Sequence, residues 1–369
     1  MEHGMSRIAL AVLTVSLLLS NPPISRSQDL RVVKFGFASK VVTPMLANVY
    51  IGQGLGYLKQ EGLTAQFIPL GPNSVVLSEL ASGHIDIGTG APSFQLPLAA
   101  KDGAIGSVNF FEFSYPFKYG LAVNPNSSIH SFSDLKGKTL GVGSFGLTDF
   151  PVAKAILRLA GIDPDKDVQF LAVGEGVPGG AALQRGVVDA FFHYDTGFGL
   201  IEAAGIPLKY VPLPANVPMI GGFYLQARPD TIKNDRVMLV GFARAVAKSE
   251  IFIRENPKAA AYEFLKMFPD AAPKAVSLDE QLKAVMVPMV RRSKLFSSYD
   301  KSVTMLGQMK KEEWEEEIKF IGLQDKIKEP SAFFTNDLIA DINNFDVDAI
   351  RTQAKTFAMP EGGSDAREN

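Results

Sequence analysis

Two separate stretches of this chain run through the same order of elements, and that repeat constrains the fold more than any other feature. In the first, Val32–Phe37 reads as a strand, Pro44–Leu58 as a helix and Thr64–Leu70 as a strand. Asn73-Ser74 can cap a helix that ends at Ser82-Gly83, before a short strand at Ile85–Gly88. Pro92 can open the next helix at its first turn, where its missing N–H costs nothing. In the second stretch, which begins near Leu121, Thr139–Val142, Val168–Val173 and Val188–Phe192 read as strands, with helices at Thr148–Ala160 and Gly179–Arg185. Both stretches place a Gly-x-x-Asp at a strand start: Gly83-His84-Ile85-Asp86 and Gly186-Val187-Val188-Asp189. Such alternation means βαβ units and a largely parallel sheet covered by helices. The expected fold is therefore α/β, with two lobes of like construction, each a mainly parallel sheet flanked by helices.

The strand Phe223–Ala227 is expected to carry the chain back into the first lobe, which divides the chain into 28–119 and 221–355 for that lobe and 120–220 for the other. After the return the pattern turns helical. Val240, Ala243, Ala247 and Ile251 recur at helical spacing, while Arg236, Arg244, Lys248 and Glu255 hold another face. Further helices are expected at Pro257–Phe268, Leu278–Arg291 and Thr304–Ile321, and their charged faces, including Lys310 to Glu317, read as solvated surface. The Gly- and charge-rich tail, 356–369, reads as disordered.

Arg7 precedes an apolar run of about twelve residues, too few for the ~20 that span a bilayer. Asn21-Pro22-Pro23 breaks the run, and Ser25-Arg26-Ser27 places small residues at −3 and −1 of a cut before Gln28. Residues 1–27 thus have the plan of a secretory signal peptide, and the mature chain is expected in a periplasm with no membrane anchor. The net charge of −2 comes with no long Lys/Arg run, which argues against a nucleic-acid partner. Absence of cysteine removes disulfides, thiolate nucleophiles, Cys-ligated zinc and iron–sulfur clusters. His84, His130 and His193 follow no ligand spacing, so neither a metal nor a cofactor is expected.

Gly141-Val142-Gly143-Ser144-Phe145-Gly146 has the form of a dinucleotide fingerprint, with Asp163 and Asp165 near the distance of a ribose-binding acid. Gly174-Glu175-Gly176-Val177-Pro178-Gly179 fits the same pattern by chance, and an exported protein rarely meets free NAD. What survives is a Gly-rich turn ending in Ser144 and Thr148, with N–H groups and hydroxyls at a helix N-terminus suited to an anion or a polar ligand edge. No G-x-S-x-G, H-E-x-x-H or phosphate-loop motif is present, and His193-Tyr194-Asp195 reads as a hydrogen-bonding loop rather than an acid–base trio.

Four short blocks follow one another at fitting intervals: Gly56-Tyr57-Leu58-Lys59-Gln60-Glu61-Gly62-Leu63, Leu80-Ala81-Ser82-Gly83-His84-Ile85-Asp86-Ile87-Gly88, Ser133-Asp134-Leu135-Lys136-Gly137-Lys138-Thr139-Leu140-Gly141-Val142 and Leu183-Gln184-Arg185-Gly186-Val187-Val188-Asp189-Ala190. Together they resemble the substrate-binding proteins of ABC importers, in the nitrate/taurine/sulfonate class that includes thiamine-pyrimidine binders, over roughly Val32 to Phe268. The resemblance implies the type II periplasmic binding protein fold, with ligand held in a cleft between lobes, outside the carboxyl ends of the strands. On that basis the expected ligand-binding residues of the first lobe are Ser39, Lys40, Thr43, Thr89, Gly90 and Ala91. Those of the second lobe are Ser144, Phe145, Leu147, Thr148, His193, Tyr194 and Asp195. Phe113 and Tyr115 sit at the first crossing, and Gly222 and Phe223 at the return.

The implied role is capture without chemistry by a monomer that hands a small organic solute to an inner-membrane permease and its ATPase. An aromatic or heteroaromatic acid leads the candidates, with aliphatic sulfonates and pyrimidines next. Sensing for a signalling receptor and an enzyme on the same fold are the alternatives. The cysteine motif of the fungal pyrimidine-synthesis relatives and the cysteine nucleophile of the desulfinases are both missing.

Overall fold

The protein is described by a computed structural model over residues 29–103, 106–116, 118–218, 220–296 and 305–359. The expected signal peptide, and residues 360–369 of the expected tail, lie outside the described residues, whereas residues 356–359 of that tail are described and packed, with Phe357 edge-on to Phe252 at 5.6 Å. The strands are β1 (Arg31–Phe37), β2 (Leu63–Pro69), β3 (Ile87–Gly90), β4 (Val108–Ser114), β5 (Tyr119–Val123), β6 (Lys138–Val142), β7 (Val168–Ala172), β8 (Ala190–Tyr194), β9 (Lys209–Val211) and β10 (Phe223–Ala227). They form two five-stranded sheets with the same plan, ordered β2-β1-β3-β10-β4 and β7-β6-β8-β5-β9. In each sheet the first three strands are parallel and the last two antiparallel joins follow. The sheets are mixed, with β10 returning to the first as expected.

The Gly-x-x-Asp repeat has one structural meaning in both lobes. Gly83 and Gly186 close the preceding helices at φ +80 and +71, a left-handed geometry that glycine adopts without a Cβ penalty. The Asp that follows uses its side chain where a strand would use its backbone. Asp86 donates its N–H to Lys34 O and accepts the Lys34 N–H on Oδ2 at 2.8 Å. Asp189 repeats both bonds with Thr139, again at 2.8 Å. Because the carboxylate has taken the first rung, β3 and β8 start two residues later than the hydrophobic runs suggest. Asp86→Ala and Asp189→Ala should each cost about 0.5–1.5 kcal/mol in urea unfolding, and by equal amounts if the two bonds do the same work.

β1 buries Val33, Phe35 and Phe37 beneath the helix Arg236–Glu255. Phe35 stacks on Phe242 at 5.5 Å, and Tyr50 meets Phe67 edge-on at 4.9 Å. The polar face of that helix is not free: Arg244 pairs with Glu61 at 2.7 Å, and Lys248 donates to Gln60 at 2.9 Å. The expected helix Pro44–Leu58 is broken at Gly56, which turns left-handed at φ +80. The last long helix is Lys311–Phe320 rather than Thr304–Ile321, because Gly307, at φ +79, is held on β4 by the Glu112 N–H. On this helix Lys311, Glu312, Glu315 and Glu316 are exposed as expected, but Glu313 and Glu317 are buried, so only part of the run Lys310–Glu317 is solvated surface.

Among the described residues, three segments join the lobes. Two are the crossings from β4 to β5 and from β9 to β10. The third is the helix Leu278–Ser293, which packs along Asp195–Ala203 of the second lobe so closely that a Cβ on Gly199 would lie 2.6 Å from Pro288 Cα.

Candidate functional site

The expected site residues lie at the ends of β1, β3, β6 and β8 and in the segments that follow them, with Phe113, Tyr115, Gly222 and Phe223 at the crossings. In the first lobe the chain turns sharply after β1: the Gly71 N–H donates to Ser39 O at 2.9 Å, and Ser39 Oγ donates to Val41 O at 2.9 Å. Thr43 caps the short turn Pro44–Leu46, while Lys40 is exposed. Thr89, Gly90 and Ala91 are buried at the end of β3, where a Cβ on Gly90 would lie 2.9 Å from Gln226 Oε1.

In the second lobe the turn after β6 is closed by the next helix, Asp149–Leu159. The Gly143 N–H donates to Asp149 Oδ2 at 2.8 Å. His193 is fully buried and engaged at both nitrogens: Nδ1 lies 3.2 Å from Asp149 Oδ2, and Nε2 accepts the Gly176 N–H at 3.2 Å. Since Nε2 is an acceptor, the ring proton sits on Nδ1. Tyr194 donates to Glu175 Oε2 at 2.6 Å, and burial, then that carboxylate, pushes its hydroxyl well above the usual range. Ser144 is half-buried, Leu147 is buried, and Phe145 is exposed at the rim, edge-on to Phe150 at 5.0 Å.

Direct contacts span the cleft: Asn73 Nδ2 donates to Thr148 Oγ1 at 3.1 Å, and Gly146 lies against Pro72. Within the second lobe, the Tyr119 hydroxyl hydrogen-bonds to the same Thr148 side chain. Arg292 reaches both lobes, with a bidentate pair to Asp195 at 2.6 and 2.8 Å and a bond to Met45 O at 3.3 Å. At the hinge, Lys118 Nζ donates to Gly222 O at 2.6 Å and lies 3.0 Å from the centroid of the Phe223 ring, which stacks on Phe113 at 5.7 Å. Burial, reinforced by the charge of Arg292, holds the Lys118 ammonium well below its usual range. Gly222 donates its N–H to Ser114 O, and a Cβ there would fall 2.4 Å from Ser114 Oγ, so glycine is required. Tyr115, at the first crossing, donates its N–H to Leu295 O.

Thr148, Tyr194 and Asp195 therefore meet groups that sequence reading missed: Asn73, Lys118, Tyr119, Asp149, Glu175 and Arg292. Asn73 had the look of a cap; Arg292 comes from a helix with no motif at all. Phe113 and His193 are enclosed within the fold rather than lying at its open surface.

Residues 43–260 match the family model described as NMT1/THI5 like. The chain belongs to that family. A curated relative, 4-amino-5-hydroxymethyl-2-methylpyrimidine phosphate synthase from Aspergillus parasiticus, is 24% identical over 253 residues, covering 62% of this chain and 68% of the relative. Among solved structures, the alkanesulfonate-binding protein SsuA from Xanthomonas axonopodis pv. citri aligns with a TM-score of 0.58 at 15% identity, over 85% of this chain and 98% of that one. The periplasmic nitrate-binding protein NrtA from Synechocystis PCC 6803 aligns with a TM-score of 0.57 at 11% identity, over 90% and 99%. At such identities these likenesses establish the periplasmic binding protein fold. The helices Leu278–Ser293 and Lys311–Phe320 lie beyond the residues that the family model matches.

Proposed function

We propose that the protein is the periplasmic solute-binding component of an ABC importer, closing its two lobes on a small organic solute and presenting the closed form to a membrane permease. The observation that carries this reading is the convergence of both sets of loops, with Asn73 bonded to Thr148 across the cleft. A solute seated there touches both lobes only when they are closed, and so shifts the population toward the closed form. Its apparent affinity includes the cost of closure. Ser39, Lys40, Thr43, Thr89, Gly90 and Ala91 line one side and Ser144, Phe145, Leu147, Thr148, Tyr194 and Asp195 the other. Phe145, Tyr119 and Tyr194 favour a flat ring. An acid or sulfonate on that ring has less support, because Lys118 and Arg292 are already engaged by Gly222 and Asp195.

The test is a thermal-shift screen of the chain from Gln28 with aromatic carboxylates, aromatic amides, sulfonates, pyrimidines, flavins, nitrate and bicarbonate. A captured solute should stabilise the fold by about 2.7 kcal/mol at a hundredfold excess over Kd, compact the molecule in small-angle scattering and be recovered unchanged. Turnover of that solute would instead place the protein with the synthases of its family. Loss of a transcriptional response, with uptake intact, on deleting the gene would make it a sensor.

A further inference from the structure

We propose that the helix Lys311–Phe320 is a proton-held cover on the edge of the first sheet, docked while Glu313 and Glu317 carry their protons and released as they ionise. β4 is the last strand of that sheet, so one of its edges has no strand beside it. Residues 306–335 cover that edge and touch its backbone near their two ends: the Glu112 N–H donates to Gly307 O at 3.0 Å, and the Thr335 N–H donates to Asn109 O at 2.9 Å. Between these bonds the helix is held by a small apolar cluster, Trp314 and Ile318 against Leu96, Tyr224 and Phe333, separate from the main core. The Trp314 ring lies 5.4 Å from that of Tyr224 and 5.3 Å from that of Phe334. A segment held by few backbone bonds and a satellite cluster opens at lower cost than the sheet it covers.

Into this contact the helix buries two carboxylates. Glu313 accepts the Lys310 N–H at 3.2 Å and Glu317 accepts the Ser93 hydroxyl, whereas the exposed Lys311 and Glu315 pair with each other at 3.0 Å. A third buried carboxylate, Glu112 of β4, lies beside the Tyr224 hydroxyl beneath Gly221, where a Cβ would collide with both. Glu112 in turn feels the charges of Glu313, Glu317 and Glu250. The cations that reach the helix carboxylates are Lys310, on the same segment, and Lys118, at the start of the second lobe. Glu312 adds a further negative charge from the helix itself. The phenols of Tyr115, Tyr119 and Tyr224 also face the group, and burial holds all three above their usual range. Buried carboxylates therefore outnumber the cations, and each proton lost makes the next ionisation in the docked state harder. Burial pushes Glu313 up to about 8 and Glu317 up to about 7. In the released helix both face water and return to about 4.3. Docking is strongest below that value, weakens as pH rises toward 7 and 8, and levels off above.

Hydrogen exchange of the chain from Gln28, followed between pH 5 and 9 with the intrinsic rate divided out, compares amides of Lys311–Phe320 with those of β1. In wild type the helix should be less protected than β1, and its protection should fall by about tenfold per pH unit for each proton released. Acrylamide quenching of Trp314, the one tryptophan in the sequence, should rise over the same range. The double variant Glu313→Gln with Glu317→Gln cannot ionise at these positions, and glutamine preserves the bond to the Lys310 N–H, so most of the fall should disappear. Helix protection that is flat over this range, or helix amides that exchange only as slowly as those of β1, overturn the proposal. So does a double variant with the wild-type slope. If the double variant does not fold, Glu317→Gln decides alone, a reduced slope supporting the proposal and an unchanged one ending it.

Discussion

Arg292→Ala is expected to cost the fold about 3–5 kcal/mol, seen as a fall in the urea midpoint with little change in slope. Its guanidinium holds Asp195 with two hydrogen bonds, at side-chain exposures of 2% and 10%, and also reaches Met45 O in the other lobe. The large effect comes less from the attraction lost than from the charge left behind. Asp195, at the start of its helix, would remain buried without a cation. The double replacement Arg292→Leu with Asp195→Leu removes both charges and should recover much of the loss, because apolar pairs of similar volume often match a buried ion pair. An Arg292→Ala protein that unfolds at the wild-type urea concentration would mean that the helix Leu278–Ser293 is held by its apolar face alone.

Glu250→Gln should stabilise the protein at pH 8 by about 2–4 kcal/mol and leave it nearly unchanged at pH 5. Glu250 is fully buried, with Asn48 Nδ2 donating to it at 3.1 Å, and burial pushes its carboxyl up to about 8 against the opposing pull of Arg254. The folded state therefore keeps a proton that the unfolded chain releases near its ordinary value of about 4.3. Stability from this group is full below that value, declines as pH rises toward 8, and levels off above it. Glutamine has no proton to lose, so the decline is shallower in the variant. Glu313, raised to about 8, and Glu317, raised to about 7, act in the same direction through burial, so some slope remains. Urea unfolding at several pH values between 5 and 8 checks this, and parallel curves for the two proteins would refute it.

The parts of the fold legible in the sequence were those written in periodicity and turn chemistry. Alternating hydrophobic runs marked the strands, and the paired Gly-x-x-Asp segments marked two lobes of one plan. The helical stripe Val240, Ala243, Ala247 and Ile251 packs inward as its spacing implied. What escaped were side chains whose role depends on distant partners. Glu313 and Glu317 sit in a strongly charged helix, and nothing local distinguishes them from solvated neighbours such as Glu312 and Glu316. Their burial follows from where Gly307 and β4 dock that segment. Arg292 was similarly hidden, since Asp195 lies 97 residues away in the chain. Asp149 shows a third case: the histidine that meets its carboxylate lies 44 residues away in the chain.

The order of strands in the two sheets also bears on how the molecule is assembled in time. Every strand of the second sheet lies between Tyr119 and Val211, whereas the first sheet needs β10, at Phe223–Ala227, before its middle is complete. A chain emerging from its N-terminus during synthesis can therefore finish the second lobe while the first still lacks the strand that separates β3 from β4. Until then the edges of β3 and β4 stay open to wrong partners. The later-made lobe is thus the aggregation-prone one, and the helix Leu278–Ser293, which seals the junction, arrives last of the three connections.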